Sequence, residues 1–340
     1  MWDASATTPR YNSEKCDMRG GERCVANGKP DNGYLHWRWQ PAGCNLSALD
    51  PAEFLQAVRG KRLAFVGDSI ARTQAEALVC LLSTFSRPET VHRHEERLGR
   101  KFWRWVFPPP HNVSVSTYWS PFLVRDEVRP EDYATKHRTV ILDALSEPWT
   151  ADVDAVDVVV ISVGHWFRLP ATYYDDGVVK TGIDGGYIGA YRTAMRRALE
   201  HVNANSTTDK LVVVATIAPA HFDAKYGRNH RDSCSRQKPY EEWEAADVAA
   251  AWAELRKAAL EEMAAASARR RRRGLKFEVL DVTRLASMRP DGHPGVYIYK
   301  NAYGGGQGPE TAANDCLHWC APGPVDTFND ILMKMVVASG

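Results

Sequence analysis

The chain has 340 residues, 44% hydrophobic and 25% charged, with a formal net charge of +1. That length holds one large α/β domain or two small ones, and the near-neutral balance excludes a surface made to coat nucleic acid. No run of about 18 apolar residues occurs to span a membrane, and no signal peptide is visible; the polar opening WDASATTPRYNSEK reads as the remnant of a stem.

Residues 1–60 are rich in Cys, Trp, Gly and Pro and poor in period, and they read as a stem remnant followed by an irregular, stapled flap. Residues 61–340 read as one integrated unit. LAFVG (63–67) is a predicted buried strand and ARTQAEALVCLLSTF (71–85) a helix. RPETVHRHEERLGRK, which holds His92, reads as a solvated loop, and NVSVSTYWS (112–120) alternates like a strand. VDVVVISVG (156–164) is apolar enough to be buried on both faces. A helix over 189–202, a buried strand over 210–219 and a long helix over 239–268 follow. The RRRRRG run (269–274) reads as a solvated tip before a strand at 276–283, and Pro324 leads into a helix over 323–337. Buried β-branched strands alternating with helices predict an α/β fold: a three-layer α/β/α sandwich around a mainly parallel sheet.

Seven cysteines stand at 16, 24, 44, 80, 234, 316 and 320, with no zinc-type C-x-x-C pair. Asn45, Asn112 and Asn205 each open an Asn-x-Ser/Thr triplet. Together these features favour an oxidising, glycosylating compartment. No metal cluster and no phosphate loop is apparent; GGGQG (304–308) follows no strand and lacks the P-loop lysine.

In a parallel sheet, ligands meet the carboxyl ends of strands, where helix N-termini point outward. Gly67-Asp68-Ser69 sits at such a place. Ser69 is either a nucleophile beside unpaired backbone N–H groups or the cap of the helix. A serine nucleophile needs a base, and the base an orienting carboxylate. Of 11 histidines, two have a carboxylate three residues earlier: His92 after Glu89, and His318 after Asp315 in NDCLHWC. The second lies between two cysteines, and its spacing sets carboxylate and imidazole side by side. The α/β-hydrolase elbow requires G-x-S-x-G, but residue 71 is Ala, so the pattern favours the serine-esterase plan that opens with G-D-S.

These residues resemble the plant trichome birefringence-like family, the PC-esterase polysaccharide O-acetyltransferases of the Golgi, related to GDSL/SGNH esterases. NGKPDNGYLHWRWQPAGCNL, VRGKRLAFVGDSIAR, VSTYWSPFLV, ISVGHWF, RPDGHP and NDCLHWCAPGPVDTFNDIL occur in the family's order across nearly the whole chain. FWRWVFPPPHNVSVSTYWSPFLV and TIAPAHFD look most like the branch that acetylates xyloglucan, with the mannan-acetylating branch close by; a mannan or xylan O-acetyltransferase, or an acetyl esterase using the same residues with water as acceptor, is the alternative. The resemblance implies a triad of Ser69, Asp315 and His318, an acetyl-Ser69 intermediate and transfer to a sugar hydroxyl. It implies a polysaccharide acceptor, no bound cofactor, and an acetyl donor such as acetyl-coenzyme A or another activated carrier. It also implies a Golgi-lumenal enzyme whose membrane anchor lies outside this sequence.

Two positions depart from the family's pattern: Thr73 and Ser162 stand where many relatives carry Asn. The usual oxyanion donor is therefore open, with Gly67, Asp68, Arg72, Ser162, Gly164 and His165 as candidates around the turn. The family's disulfide pattern implies Cys16–Cys80, Cys24–Cys320 and Cys234–Cys316, leaving Cys44 for a partner outside this chain. Trp166 and Trp319 flank two of the motifs and are the candidates for stacking on sugar rings.

Overall fold

The computed structural model describes residues 2–3, 9–95, 101–127, 137–180, 186–300 and 314–339. The GGGQG segment lies outside them. Two-residue strands β1 (Trp2–Asp3) and β2 (Arg38–Trp39) pair across an N-terminal segment of short 3-10 turns. Helix α1 (Pro51–Ala57) then leads into β3 (Arg62–Gly67), α2 (Ser69–Leu82), β4 (Glu89–Glu95), β5 (Lys101–Phe107) and β6 (Val113–Trp119). Next come β7 (Val124–Glu127), β8 (Arg138–Leu145), α3 (Trp149–Asp152), β9 (Val158–Ser162), β10 (Ala171–Asp175), β11 (Val178–Val179), α4 (Tyr187–Asn205) and β12 (Lys210–Ala215). The remaining elements are α5 (Glu242–Ala251), α6 (Ala253–Ala268), β13 (Leu275–Leu280), α7 (Thr283–Ser287) and α8 (Val325–Ser339).

The main sheet has seven strands in the order β13-β12-β9-β3-β6-β5-β4. The first five are mutually parallel, and β5 and β4 add an antiparallel edge. Side chains alternate between two apolar layers, as the pleat requires. Leu63 and Phe65 of β3 pack with α2 and α8 on one face, while Ala64 and Val66 pack with α4 and α6 on the other. The three-layer sandwich expected from the sequence is thus formed. After β3 the chain builds β6 on one side of it and β9 on the other, so β3 marks the switch point where such sheets bind ligands.

Three features differ from expectation. The stretch read as a loop around His92 forms strand β4, paired antiparallel with β5. Its polar residues are tolerated because it is an edge strand with solvent on its open side. The single helix expected over 239–268 breaks at Trp252, which leaves helical geometry (φ −115°, ψ 4°) and turns its ring onto His165. A second sheet, ordered β11-β10-β8-β7, was not foreseen; β7, β10 and β11 carry mixed, half-exposed residues without an apolar period.

All three implied disulfides are present, with Cα separations of 5.2, 5.5 and 5.5 Å for Cys16–Cys80, Cys24–Cys320 and Cys234–Cys316. Cys44 is an exposed free thiol. The arginine run is the exposed tip between α6 and β13, as expected. Asn45, Asn112 and Asn205 are all exposed. Among the described residues no group of His, Cys, Asp or Glu is placed to hold a metal ion, and no helix is long and apolar enough to cross a membrane.

Candidate active site

The turn from β3 to α2 is shaped by Gly67. Its φ is +151°, and a side chain there would run into the Ser162 carbonyl of β9. The Asp68 amide donates to that same carbonyl at 3.1 Å, locking the two strand ends together. Asp68, not Ser69, is the helix cap: its carboxylate accepts from the Ile70 amide at 2.9 Å. Burial pushes the Asp68 carboxyl up to about 6, against the Ile70 amide and the nearby His318 and Arg72 charges. Ser69 is therefore the first residue of α2, where the backbone N–H has no partner in its own helix.

The Asp315–His318 turn comes from the loop before α8. Asp315 exchanges both backbone hydrogen bonds with Gly295 at 2.9 Å. Its Oδ1 accepts from the Leu317 and His318 amides at 3.0 and 2.8 Å, and its Oδ2 lies 2.6 Å from His318 Nδ1. Burial alone would pull the His318 pKa down, but the Asp315 hydrogen bond and charge outweigh it and hold the imidazole above its ordinary value. Burial would conversely raise Asp315; the imidazole and the two amides instead hold it well below the usual carboxylate range. Behind the turn, His293 Nδ1 donates to the His318 carbonyl at 2.6 Å. His293 Nε2 lies 2.7 Å from His221 Nδ1, and His221 Nε2 donates to the Ser287 carbonyl at 2.9 Å.

Ser69 and His318 line one cavity of about 720 Å3, with Arg72, His165 and Trp166 among its walls. The other candidates lie as follows. Arg72 is buried, donating to Glu22 of the N-terminal segment at 2.8 Å, with Glu76 3.7 Å away. Ser162 is buried in the strand end and Gly164 (φ +156°) packs against Ile217, its amide directed at Asp68; neither lines the cavity. His165 Nε2 donates to the Ala218 carbonyl at 2.8 Å, and burial pushes its pKa down to about 3, so it is a neutral wall. Trp166 meets Trp119 edge-to-face at 5.5 Å on the cavity wall. Trp319 does not reach the cavity: it is fully buried and stacked on His293 at 4.1 Å, because its indole fills the core beneath α8. His92 lies on β4 against Phe102, away from Ser69. Sequence reasoning missed Arg168, Phe222, Arg228 and Trp252 on the cavity wall: Phe222 lies in TIAPAHFD and Arg168 directly follows ISVGHWF, but no motif or period shows which side chains converge on Ser69 through long-range packing.

A parallel α/β sandwich with G-D-S at the switch point and a carboxylate-held histidine in the same cavity is the layout of a GDSL/SGNH-type acyl enzyme. Residues 46–335 match the GDSL/SGNH-like acyl-esterase family found in Pmr5 and Cas1p, and residues 1–45 match the PMR5 N-terminal domain. The chain belongs to this acyl-esterase family and is an enzyme of acyl-group chemistry. It is 40% identical to xyloglucan O-acetyltransferase 1 of Arabidopsis thaliana, over 98% of this chain and 78% of that protein. It is 39% identical to xyloglucan O-acetyltransferase 1 of Populus trichocarpa, over 98% of this chain and 79% of that protein. It is 34% identical to protein trichome birefringence-like 26 of Arabidopsis thaliana, over 98% of this chain and 75% of that protein.

Proposed function

We propose that the protein transfers acetyl groups to hydroxyls of a plant cell-wall polysaccharide, xyloglucan first, through an acetyl-Ser69 intermediate. The observation that carries this is the pairing of Asp315 with His318 Nδ1 in the cavity that Ser69 shares. Ser69 Oγ attacks the acetyl carbonyl of the donor while His318 Nε2 takes its proton. The tetrahedral oxyanion forms beside the start of α2, where the Ser69 amide is available to it. The donor's leaving group departs with the proton from His318, leaving acetyl-Ser69. A sugar hydroxyl then attacks, His318 takes its proton, and the returning proton regenerates Ser69. Asp315 fixes the tautomer and balances the imidazolium in both halves. Trp119 and Trp166 offer aromatic surface to the sugar rings.

The names of the relatives support the choice of acceptor. Exposed sequons and three disulfides support an oxidising lumen, and we place the protein in the Golgi. Co-localisation with a Golgi marker and a mobility shift on N-glycosidase treatment test that placement.

The decisive experiment is mass spectrometry of the protein and of Ser69→Ala with an acetyl donor and separate xyloglucan, mannan and xylan oligosaccharides. One added acetyl group on the Ser69 peptide and on xyloglucan, both absent in the variant, is expected. Free acetate without acetylated sugar would make it an esterase, and sugar acetylation by Ser69→Ala would remove Ser69 from the chemistry.

A further inference from the structure

Among the described residues, the cavity shared by Ser69 and His318 is lined by Arg19, Arg72, Arg168 and Arg228 and by no aspartate or glutamate. The whole chain carries a formal charge of only +1, so this is a local asymmetry and not a generally basic surface. The arginines are not equivalent. Arg72 is buried between Glu22 and Glu76, and Arg19 lies close enough to Glu76 to bear on its charge. Arg72 is thus answered by the Glu22 carboxylate, and both arginines are engaged within the protein.

Arg168 and Arg228 are different. Both are exposed, and neither pairs with a carboxylate among the described residues. Each guanidinium instead lies over an aromatic ring of the same cavity wall: Arg168 Cζ is 4.2 Å from the Trp252 ring centre, and Arg228 Cζ is 4.3 Å from that of Phe222. Stacking by one face orients a guanidinium while leaving its in-plane N–H donors at the edge, the geometry suited to phosphate or carboxylate. Trp252 is further held edge-on by His165, itself bonded to Ala218. The platform under Arg168 is therefore part of the core rather than a loose surface ring.

Resting on the acetyl-transfer reading above, we infer that this wall binds an anionic acetyl donor, an ester or thioester carrying phosphate groups, with Arg168 and Arg228 as its recognition residues. A neutral glucan can accept hydrogen bonds through its hydroxyls but brings no counter-charge for these two cations. The acceptor is served by the aromatic Trp119–Trp166 wall instead. The two substrates of the double displacement thereby use chemically distinct walls of one cavity, each within reach of the same serine.

The test compares Arg168→Gln, Arg228→Gln and the double variant with the unaltered chain, using two donors: phosphate-bearing acetyl-coenzyme A and neutral p-nitrophenyl acetate. The double variant is expected to lower the kcat/KM ratio between the charged and neutral donor by at least roughly ten-fold, through the KM of the charged one. Raising salt from about 50 to about 300 mM should lower that ratio in the unaltered chain and much less in the double variant. Coenzyme A binding to Ser69→Ala, followed by calorimetry, reads the same site without any transfer. Binding that weakens in Ser69→Ala carrying both arginine changes supports the inference even if no sugar is acetylated. Equal losses with both donors would make the arginines part of the chemistry or the fold. No change with either donor would remove them from the site. A rise confined to the KM of an acidic oligosaccharide acceptor would assign them to the glycan.

Discussion

Asp315 uses its two oxygens for two tasks. Oδ1 ties down the Leu317 and His318 amides, so the turn is built by the same carboxylate whose Oδ2 aligns the ring. Asp315→Asn keeps a shape close to this but removes the charge and the fixed acceptor. The wild-type imidazole is held above its ordinary pKa, so with His318 as the proposed base the acid limb of kcat/KM should lie above about 6.5, where the imidazole becomes neutral. Without the carboxylate, burial is left to pull the imidazole down, and the limb should move to lower pH. The plateau should also fall by roughly 10⁴-fold, the size of effect seen when a triad loses its orienting carboxylate. A pH–rate profile with p-nitrophenyl acetate checks both; a limb that stays in place would mean that another group sets it.

On the scale of elements, α2 shows what the sequence could and could not disclose. Its apolar run and the preceding strand were legible because buried parallel strands and amphipathic helices write their periods into the chain. G-D-S and D-x-x-H were legible as well, since each is compact. The cap was not: Asp68 and Ser69 are both good caps, and only the observed hydrogen bond assigns the role to Asp68 and frees Ser69. The cavity wall was hidden for another reason, because Arg168, Phe222, Arg228 and Trp252 meet only through long-range packing. The polar side of α2 was equally silent. There Glu76 and Glu22 converge on Arg72, and burial with the Glu22 charge pushes the Glu76 carboxyl up to about 8. A carboxyl raised on folding supports the fold while protonated, and that support is lost as pH rises from about 4.5 towards 8. Glu76→Gln stays neutral throughout. Its Tm should match the wild type near pH 5 and exceed it at pH 8, by thermal melts at both values; equal differences at the two pH values would show that Glu76 does not titrate in that range.

For the molecule as a whole, the question is whether the N-terminal segment is a separate domain. Its contacts say that it is part of the site's support. Glu22 pairs with Arg72 one turn from Ser69, and the Ala321 amide donates to the Glu22 carbonyl at 2.9 Å. Lys29 Nζ donates to the carbonyls of Asp291 and His293, and Arg10 pairs with Asp330 of α8 at 2.7 Å. The Cys24–Cys320 bridge then joins residues 296 apart in sequence and ends two residues from His318. Segment and sandwich should therefore unfold in one calorimetric transition. Closing so long a loop contributes up to about 5 kcal/mol through the unfolded chain. For a protein of this size that corresponds to roughly 7 °C in Tm. The variant with Cys24→Ala and Cys320→Ala leaves the other two bridges intact and should lose stability of that order, still as a single transition. Activity should fall further than stability at a temperature where the variant remains folded, because the bridge positions the turn that carries the proposed base, His318. Two resolved transitions would make the segment a domain of its own, and full activity in the folded variant would show that Asp315 and the His293 contact hold the turn without it.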